Sequence, residues 1–250
     1  MALSGVQNYL AFIFGLLGNV ISFLVFLAPM PTFYTICKKR TSEGFQSIPY
    51  SVAFFSASLL LYYAVLKTNA YMIVIINAIG CVIEVTYILI YTIYAPRKAR
   101  IFTVKLFLLF NVGGLGMIMV VSLLVCRGAR RVSVVGWACA IVNLAVFASP
   151  LSIMRRVIRT KSVEFMPFTL SLFLTLCATA WFFYGFFVRD YYIALPNVLG
   201  FLFGIAQMIL YFVYKNAKEG AETNLELEPN KNIEKNVSSL DADADSDSTQ

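Results

Sequence analysis

Histidine is absent from all 250 residues of the chain. Its absence removes histidine-based catalytic triads, most zinc sites and a histidine proton relay. Charge is scarce as well: Asp, Glu, Lys and Arg make up 13% of the residues. A soluble domain carries roughly a quarter. With 60% hydrophobic residues and a mean hydropathy of +0.77, the chain cannot cover its own surface with polar groups. Most of that surface must face lipid. The five cysteines (Cys37, Cys81, Cys126, Cys139 and Cys177) show neither a metal-ligand spacing nor an even-numbered framework, so no metal or other cofactor is expected. No basic start precedes a short apolar core, so no cleavable signal is expected and the first helix would remain as an anchor.

What is present is a series of long uncharged runs. No charge occurs from Met1 to Cys37, and further runs are Gly44–Leu66, Leu106–Cys126, Val132–Met154, Phe165–Val188 and Tyr191–Tyr214. Thr68–Pro96 holds a single acid, Glu84. A bilayer span needs ~20 apolar residues, which makes seven candidates. Lipid offers a backbone no hydrogen-bond partner, and the runs lack the two-residue alternation of a barrel, so they are helices. The expected fold is an all-α membrane protein of seven transmembrane helices.

The basic residues orient it. Lys38, Lys39 and Arg40 follow the first run; Arg97, Lys98, Arg100 and Lys105 follow the third; Arg155, Arg156, Arg159 and Lys161 follow the fifth; Lys215, Lys218, Lys231 and Lys235 follow the last. The opposite side carries only Lys67, Arg127, Arg130, Arg131 and Arg189. Positive residues favour the cytoplasm, so the N-terminus is expected outside and the C-terminus inside. The net charge of +7 is thus a topology signal and no nucleic-acid footprint, which would want a basic soluble face bearing aromatics. Beyond about Asn216 the chain holds 9 of its 13 acids and too few apolar residues to fold.

The membrane part repeats itself. LAPMPTF (27–33) is echoed by ASPLSIM (148–154), SEGFQSIP (42–49) by SVEFMP (162–167), Tyr62-Tyr63-Ala64 by Phe183-Tyr184-Gly185, and INAIG (76–80) by LPNVLG (195–200). The offsets are 121, 120, 121 and 120, with Pro49 to Pro167 shortened to 118. Helices one to three therefore recur as five to seven. Three crossings leave the chain on the wrong side to repeat in the same direction, and the fourth helix carries it back. The two halves are then parallel, about an axis along the membrane normal. The expected units are a first three-helix repeat at 6–96, linker helix four with its flanking loops at 97–131, a second three-helix repeat at 132–214 and a disordered acidic cytoplasmic tail at 215–250.

At these motifs, from about Phe12 to Tyr214, the sequence resembles the SWEET family of sugar transporters, and within it the plant clade III members and their nectary-associated branch. The signals are the two proline motifs, SVEFMPF (162–168), the matched asparagines and ALPNVLG (194–200). The resemblance implies a bidirectional sugar uniporter, for sucrose in this clade, in the plasma membrane, with a vacuolar or secretory membrane left open. The partners it implies are a sucrose or hexose substrate and the lipid bilayer, with a homo-oligomer left open.

Asn77 and Asn197 stand at matched positions. An asparagine in a membrane helix needs partners, and two facing each other across the axis offer donors and acceptors to a neutral polyhydroxyl ligand. The residues alone leave interhelical bonding equally open; the resemblance implies sugar contact. Trp181 lies mid-helix, where an indole face suits a sugar ring, whereas Trp137 fits an interfacial anchor. Leu60 stands where many relatives have a second tryptophan. By resemblance the other pocket positions are Val25, Ser56, Asn143, Val146 and Cys177, with helix packing as the alternative for each. Pro29, Pro49, Pro150 and Pro167 match a family proline tetrad and would act as hinges near the cytoplasmic end, Pro29 and Pro150 alike; kinks or helix starts are the alternative. Tyr63, Tyr184 and Asp190 match an outer gate, which Lys67 would join through a surface pair worth only ~0–1 kcal/mol. Glu84 is a candidate proton carrier by its setting, and a structural backbone partner otherwise.

Two other classes stay in view. A proton-coupled transporter would rest on Glu84 alone. A seven-helix signalling receptor shares helix count and orientation but not a three-helix repeat. A membrane enzyme lacks histidine, clustered acids and an activated nucleophile.

Overall fold

The computed structural model describes residues 2–163, 166 and 168–215. The acidic tail beyond Lys215, together with Glu164, Phe165 and Pro167, lies outside the described residues. Seven helical spans are long and apolar enough to cross a membrane, and no strand occurs among the described residues. The first span is α1 (Ala2–Leu27) continued by α2 (Met30–Lys39); α3 (Ile48–Leu66) and α4 (Tyr71–Tyr94) are the second and third. The fourth joins α5 (Arg97–Phe107) to α6 (Leu115–Val125) through a π-helical turn, Leu108–Gly114. The fifth is α7 (Gly128–Val146) with α8 (Ala148–Thr160), and α9 (Phe168–Phe187) and α10 (Tyr191–Tyr214) close the chain.

The helices run further than the apolar runs. Arg97 to Lys105, expected as a loop, form most of α5, and Arg155, Arg156 and Arg159 lie in α8. A charge is excluded from lipid but not from a helix, because Lys and Arg are good helix formers. The spans simply continue into the interface.

Packing closes six spans into a ring. α1 packs on α4, α4 on α3, α3 on α7, α7 on α10, α10 on α9 and α9 on α1. Each repeat is thus ordered first, third, second, and the two junctions between repeats, α1 with α9 and α3 with α7, are twofold mates. Backbone detail follows the same axis. Arg40 and Lys161, which end α2 and α8, have φ of 53° and 55°; Asn69 and Arg189 have 60° and 54°. Such left-handed geometry is uncommon for non-glycine residues, so matching it at two pairs of unlike residues marks a common backbone. Close approaches are matched too. A Cβ on Gly80 would sit 2.5 Å from the Phe26 ring, and one on Gly200 3.3 Å from the Phe147 ring. Small residues at such crossings let membrane helices approach where no hydrophobic effect drives them together.

The fourth span lies against the first repeat, on α3 and α4. Its polar residues find partners there. Thr103 donates to Ser47 Oγ at 2.7 Å, and the Ser122 and Tyr62 hydroxyls bond at 2.8 Å. These two contacts explain the π turn. Nineteen residues at about 100° each would leave Ser122 rotated by about 100° from Thr103. One extra residue absorbed in the π turn leaves about five whole turns, and both side chains face α3. Deleting Val112, which is 59% exposed within that turn, should restore an ordinary helix and keep both contacts. The measurement is thermal unfolding in detergent. The deletion variant is expected to melt within a few degrees of the parent; a collapse of the folded protein would mean the π turn does more than set register.

Candidate functional site

The matched asparagines sit at equivalent points of α4 and α10 and are anchored identically. Asn77 Nδ2 donates to the Ile73 carbonyl at 2.8 Å, and Asn197 Nδ2 to the Ile193 carbonyl at 2.7 Å. Each bond reaches one turn back along its own helix and fixes the amide plane. Neither carboxamide oxygen accepts a hydrogen bond from a described residue, and neither is a sealed, orphaned atom. Both oxygens remain available to a ligand.

The other candidates meet in pairs across the two junctions. Between α3 and α7, Ser56 Oγ donates to Asn143 Oδ1 at 3.0 Å. Between α1 and α9, Ser22 and Cys177 make the equivalent contact at 3.1 Å. Ser22 is the mate of Asn143, as Cys177 is of Ser56, at the offset of 121. The sequence analysis missed Ser22, and the offset applied to Asn143 would have found it. Trp181 adds a bond with no counterpart: its Nε1–H donates to Ser22 Oγ at 2.9 Å. Gly18 makes room for the indole, since a Cβ there would lie 3.0 Å from it. Leu60, the mate of Trp181, offers no donor, so Asn143 lacks that second partner. Val25 and Val146 are again mates, on α1 and at the end of α7; Val146 is 40% exposed. Asn19, also outside the expected set, donates to the Gly15 and Met72 carbonyls and ties α1 to α4.

One end of the ring is locked. Asp190 is 2% exposed and forms the N-cap of α10, accepting from the Tyr192 and Ile193 amides at 3.1 and 3.3 Å. Its other carboxylate oxygen accepts from Tyr63 at 2.9 Å and pairs with Lys67. Tyr63 lies in α3, Lys67 is its C-cap and Asp190 is the N-cap of α10, so the lock joins the repeats. The weak surface pair expected for Lys67 and Asp190 is therefore corrected. The carboxylate is buried and carries four partners, while Lys67 alone keeps contact with water at 26% exposure. Tyr184, the mate of Tyr63, is buried but touches no acid; it packs edge-on against Trp181 at 5.3 Å. Its counterpart to Asp190 in the first repeat is Ala70, which cannot bond. A groove of about 480 Å³ opens beside the lock, lined by Lys67, Arg131, Ser133 and Tyr192 among others, and includes neither asparagine.

At the opposite, basic end each inner segment packs on its own repeat, α2 on α4 and α8 on α10. Pro29 stands between α1 and α2 as the N-cap residue of α2, and Pro150 lies in the first turn of α8. Pro49 occupies the first turn of α3, where proline forfeits no helix bond. A proline outside the tetrad, Pro196, lies inside α10 directly before Asn197. Glu84 is 4% exposed, and its Oε2 has no hydrogen-bond partner. No cluster of metal-ligating side chains occurs among the described residues.

A family model described as "Sugar efflux transporter for intercellular exchange" matches the chain twice, over residues 12–99 and 133–219. The chain belongs to the SWEET family. It is 68% identical over 209 residues to the bidirectional sugar transporter NEC1 of Petunia hybrida, covering 84% of this chain and 78% of the relative. It is 60% identical over 208 residues to bidirectional sugar transporter SWEET9 of Arabidopsis thaliana, covering 83% and 81%. A solved eukaryotic SWEET transporter superposes with a TM-score of 0.80 at 33% identity, over 84% of this chain and 99% of that one.

The lock generates a ranked set of stabilities. Asp190→Ala removes a helix cap and leaves Tyr63 without its acceptor, and breaking a buried pair costs ~3–5 kcal/mol. Tyr63→Phe removes one charge-assisted bond, about 1.5–3 kcal/mol. Lys67→Ala leaves Asp190 with three donors and is expected to cost least. Thermal unfolding of the three purified variants checks the order; a Lys67 variant less stable than the Asp190 variant would break it.

Proposed function

We propose that the chain is a bidirectional, facilitative sugar transporter, a uniporter that prefers sucrose and works by alternating access at the asparagine ring. The observation that carries this reading is the pair Asn77 and Asn197. Two amides anchored alike, each with a side-chain oxygen that takes no bond from a described residue, stand at equivalent points of opposite repeats. A neutral polyhydroxyl ligand can bond both without charge compensation. Ser22, Ser56, Asn143 and Cys177 add polar groups at the two junctions, Val25 and Val146 leave room, and Trp181 offers a face to a sugar ring. The names of the 60–68% identical relatives, bidirectional sugar transporters, support the same substrate class.

The lock at Asp190 joins the repeats at one end, and among the described residues the inner segments α2 and α8 each pack on their own repeat. This supports alternating access, with movement of one repeat against the other as the transition. Pro29 and Pro150 are the hinge candidates, since each stands where a span breaks in two. Proton coupling is not proposed, because Glu84 is the single intramembrane acid and has no matched partner: its mate is Gly204. The distribution of basic residues supports an N-terminus outside and a C-terminus in the cytoplasm, and the resemblance of the sequence supports the plasma membrane. The repeat motifs support units at 6–96 and 132–214 joined by 97–131.

Four measurements in reconstituted vesicles test this. Asn77→Ala and Asn197→Ala are each expected to abolish sucrose flux while inserting normally; parental flux from both would rule out the ring. A sugar gradient should equilibrate without accumulation, and uphill uptake driven by an imposed pH gradient would make Glu84 the carrier instead. Leu60→Trp restores the aromatic mate of Trp181 and should lower KM about two- to tenfold, the range of one added aromatic contact. Competition among sucrose, glucose and fructose in the same vesicles decides the sugar.

A further inference from the structure

The two proline breaks are equivalent by position but not by surroundings. In the first repeat the break lies between Leu27 and Met30. Tyr87 of α4 reaches both sides of it. Its hydroxyl donates to the Phe26 carbonyl on the α1 side at 3.0 Å. Its ring stacks on Phe33 on the α2 side, with centroids 4.3 Å apart and planes 11° apart. Tyr50 meets both rings edge-on, at 4.8 Å from Phe33 and 5.8 Å from Tyr87. Phe26 is further held by its ring in the notch of Gly80, two turns away from Tyr87 on the same face of α4. Tyr87 itself is 5% exposed. One buried side chain thus fixes both arms of the bend.

The second repeat keeps the notch and loses the rest. Phe147 lies against Gly200 as Phe26 lies against Gly80. The residue in place of Tyr87, however, is Gln207, and that in place of Phe33 is Met154. Gln207 is 6% exposed and bonds no described residue, and a methionine offers no ring to stack on. Phe147 also packs on Phe203 of α10, with centroids 5.3 Å apart, but among the described residues no side chain both bonds one side of this break and stacks on the other.

We propose that Tyr87 is a positioning residue that braces the Pro29 hinge, so that bending during transport falls on the hinge at Phe147–Pro150. The proposal rests on the alternating-access reading above. The inner arm of the first repeat, α2, moves with α4 as one body, while α8 swings on α7.

Pulsed electron spin distances in the full chain test it. Genetically encoded spin labels go at Leu24 and Tyr34 for the first break and at Leu144 and Ile158 for the second, all exposed positions. In detergent without sugar, the first pair should give a narrow distribution and the second a broad one. Tyr87→Phe keeps the ring and removes the hydroxyl, and should broaden the first. Tyr91→Phe serves as the comparison: it removes another tyrosine–carbonyl bond of the same cluster, to Phe45 at 3.1 Å, without touching the break. It should leave the first distribution narrow. Equal widths at the two breaks, or equal broadening by both variants, would overturn the brace. In vesicles, Pro150→Ala should lower kcat at least about fivefold more than Pro29→Ala, roughly one hydrogen bond's worth of barrier, with KM unchanged in both. Equal losses would also overturn it. The distances need no sugar, so a parent protein that carries none would sink the uniporter reading and leave the brace standing.

Discussion

Three helices carry a chain across a bilayer and leave it on the far side. A three-helix unit can therefore recur in the same direction only if a further helix brings the chain back. In this protein that helix is the fourth span, and its presence fixes the symmetry of the rest. Parallel units pair about an axis along the membrane normal, so a residue and its mate 120 or 121 positions later lie at the same depth on opposite sides of it. Asn77 and Asn197 take equivalent places with the same bond four residues back for that reason, and the Ser22–Cys177 contact on one junction answers the Asn143–Ser56 contact on the other. The fourth span has no mate. It binds the first repeat through Thr103 and Ser122, and needs one π turn to present both.

Lipid sets the second constraint, because every polar group within it must find a partner inside the protein. Most do so along their own helix: Asn77, Asn197, Thr86, Thr92, Thr175 and Thr179 each donate to a carbonyl four residues back. Asp190 cannot, being an acceptor alone. It collects two amides of its own helix, Tyr63 and Lys67, and in doing so joins the repeats at one end. A lock of this kind is strong while closed. Lys67 remains partly in water, and the two helix amides would stay with the acid if the lock opened.

Composition and charge spacing were enough for the seven spans, because lipid punishes charge so severely that gaps between charges mark its boundaries. Repeat arithmetic was enough for the twofold arrangement. It failed where the two halves differ in three dimensions. The Lys67–Asp190 pair looked like a surface contact, since nothing in the order of residues shows that Asp190 folds under Tyr63 and caps α10. The extent of α5 and α8 was hidden because basic residues end a membrane run without ending a helix. Ser22 was overlooked through a failure to apply the offset of 121, not through any lack of signal. The π turn left no clear mark in sequence; it becomes necessary only once Thr103 and Ser122 are both known to face α3.

The departures from symmetry bear on what the ring can distinguish. A ring with true twofold symmetry would bind an unsymmetrical sugar equally well in two opposed orientations. Here the mates differ: Trp181 against Leu60, Asn143 against Ser22, Cys177 against Ser56. The indole fills one side with a flat apolar face, and its N–H occupies Ser22, which cannot then direct that lone pair at a ligand. The opposite side keeps a branched aliphatic group and an amide bonded only to Ser56. On the function proposed above, the asparagines would supply the symmetric part of the recognition and these pairs the directional part. The same unevenness recurs at the ends, where Asp190 faces Ala70 and Tyr87 faces Gln207 in the alignment of the halves. The two bundles share one backbone plan, and differences at a few paired positions make them unlike where they meet.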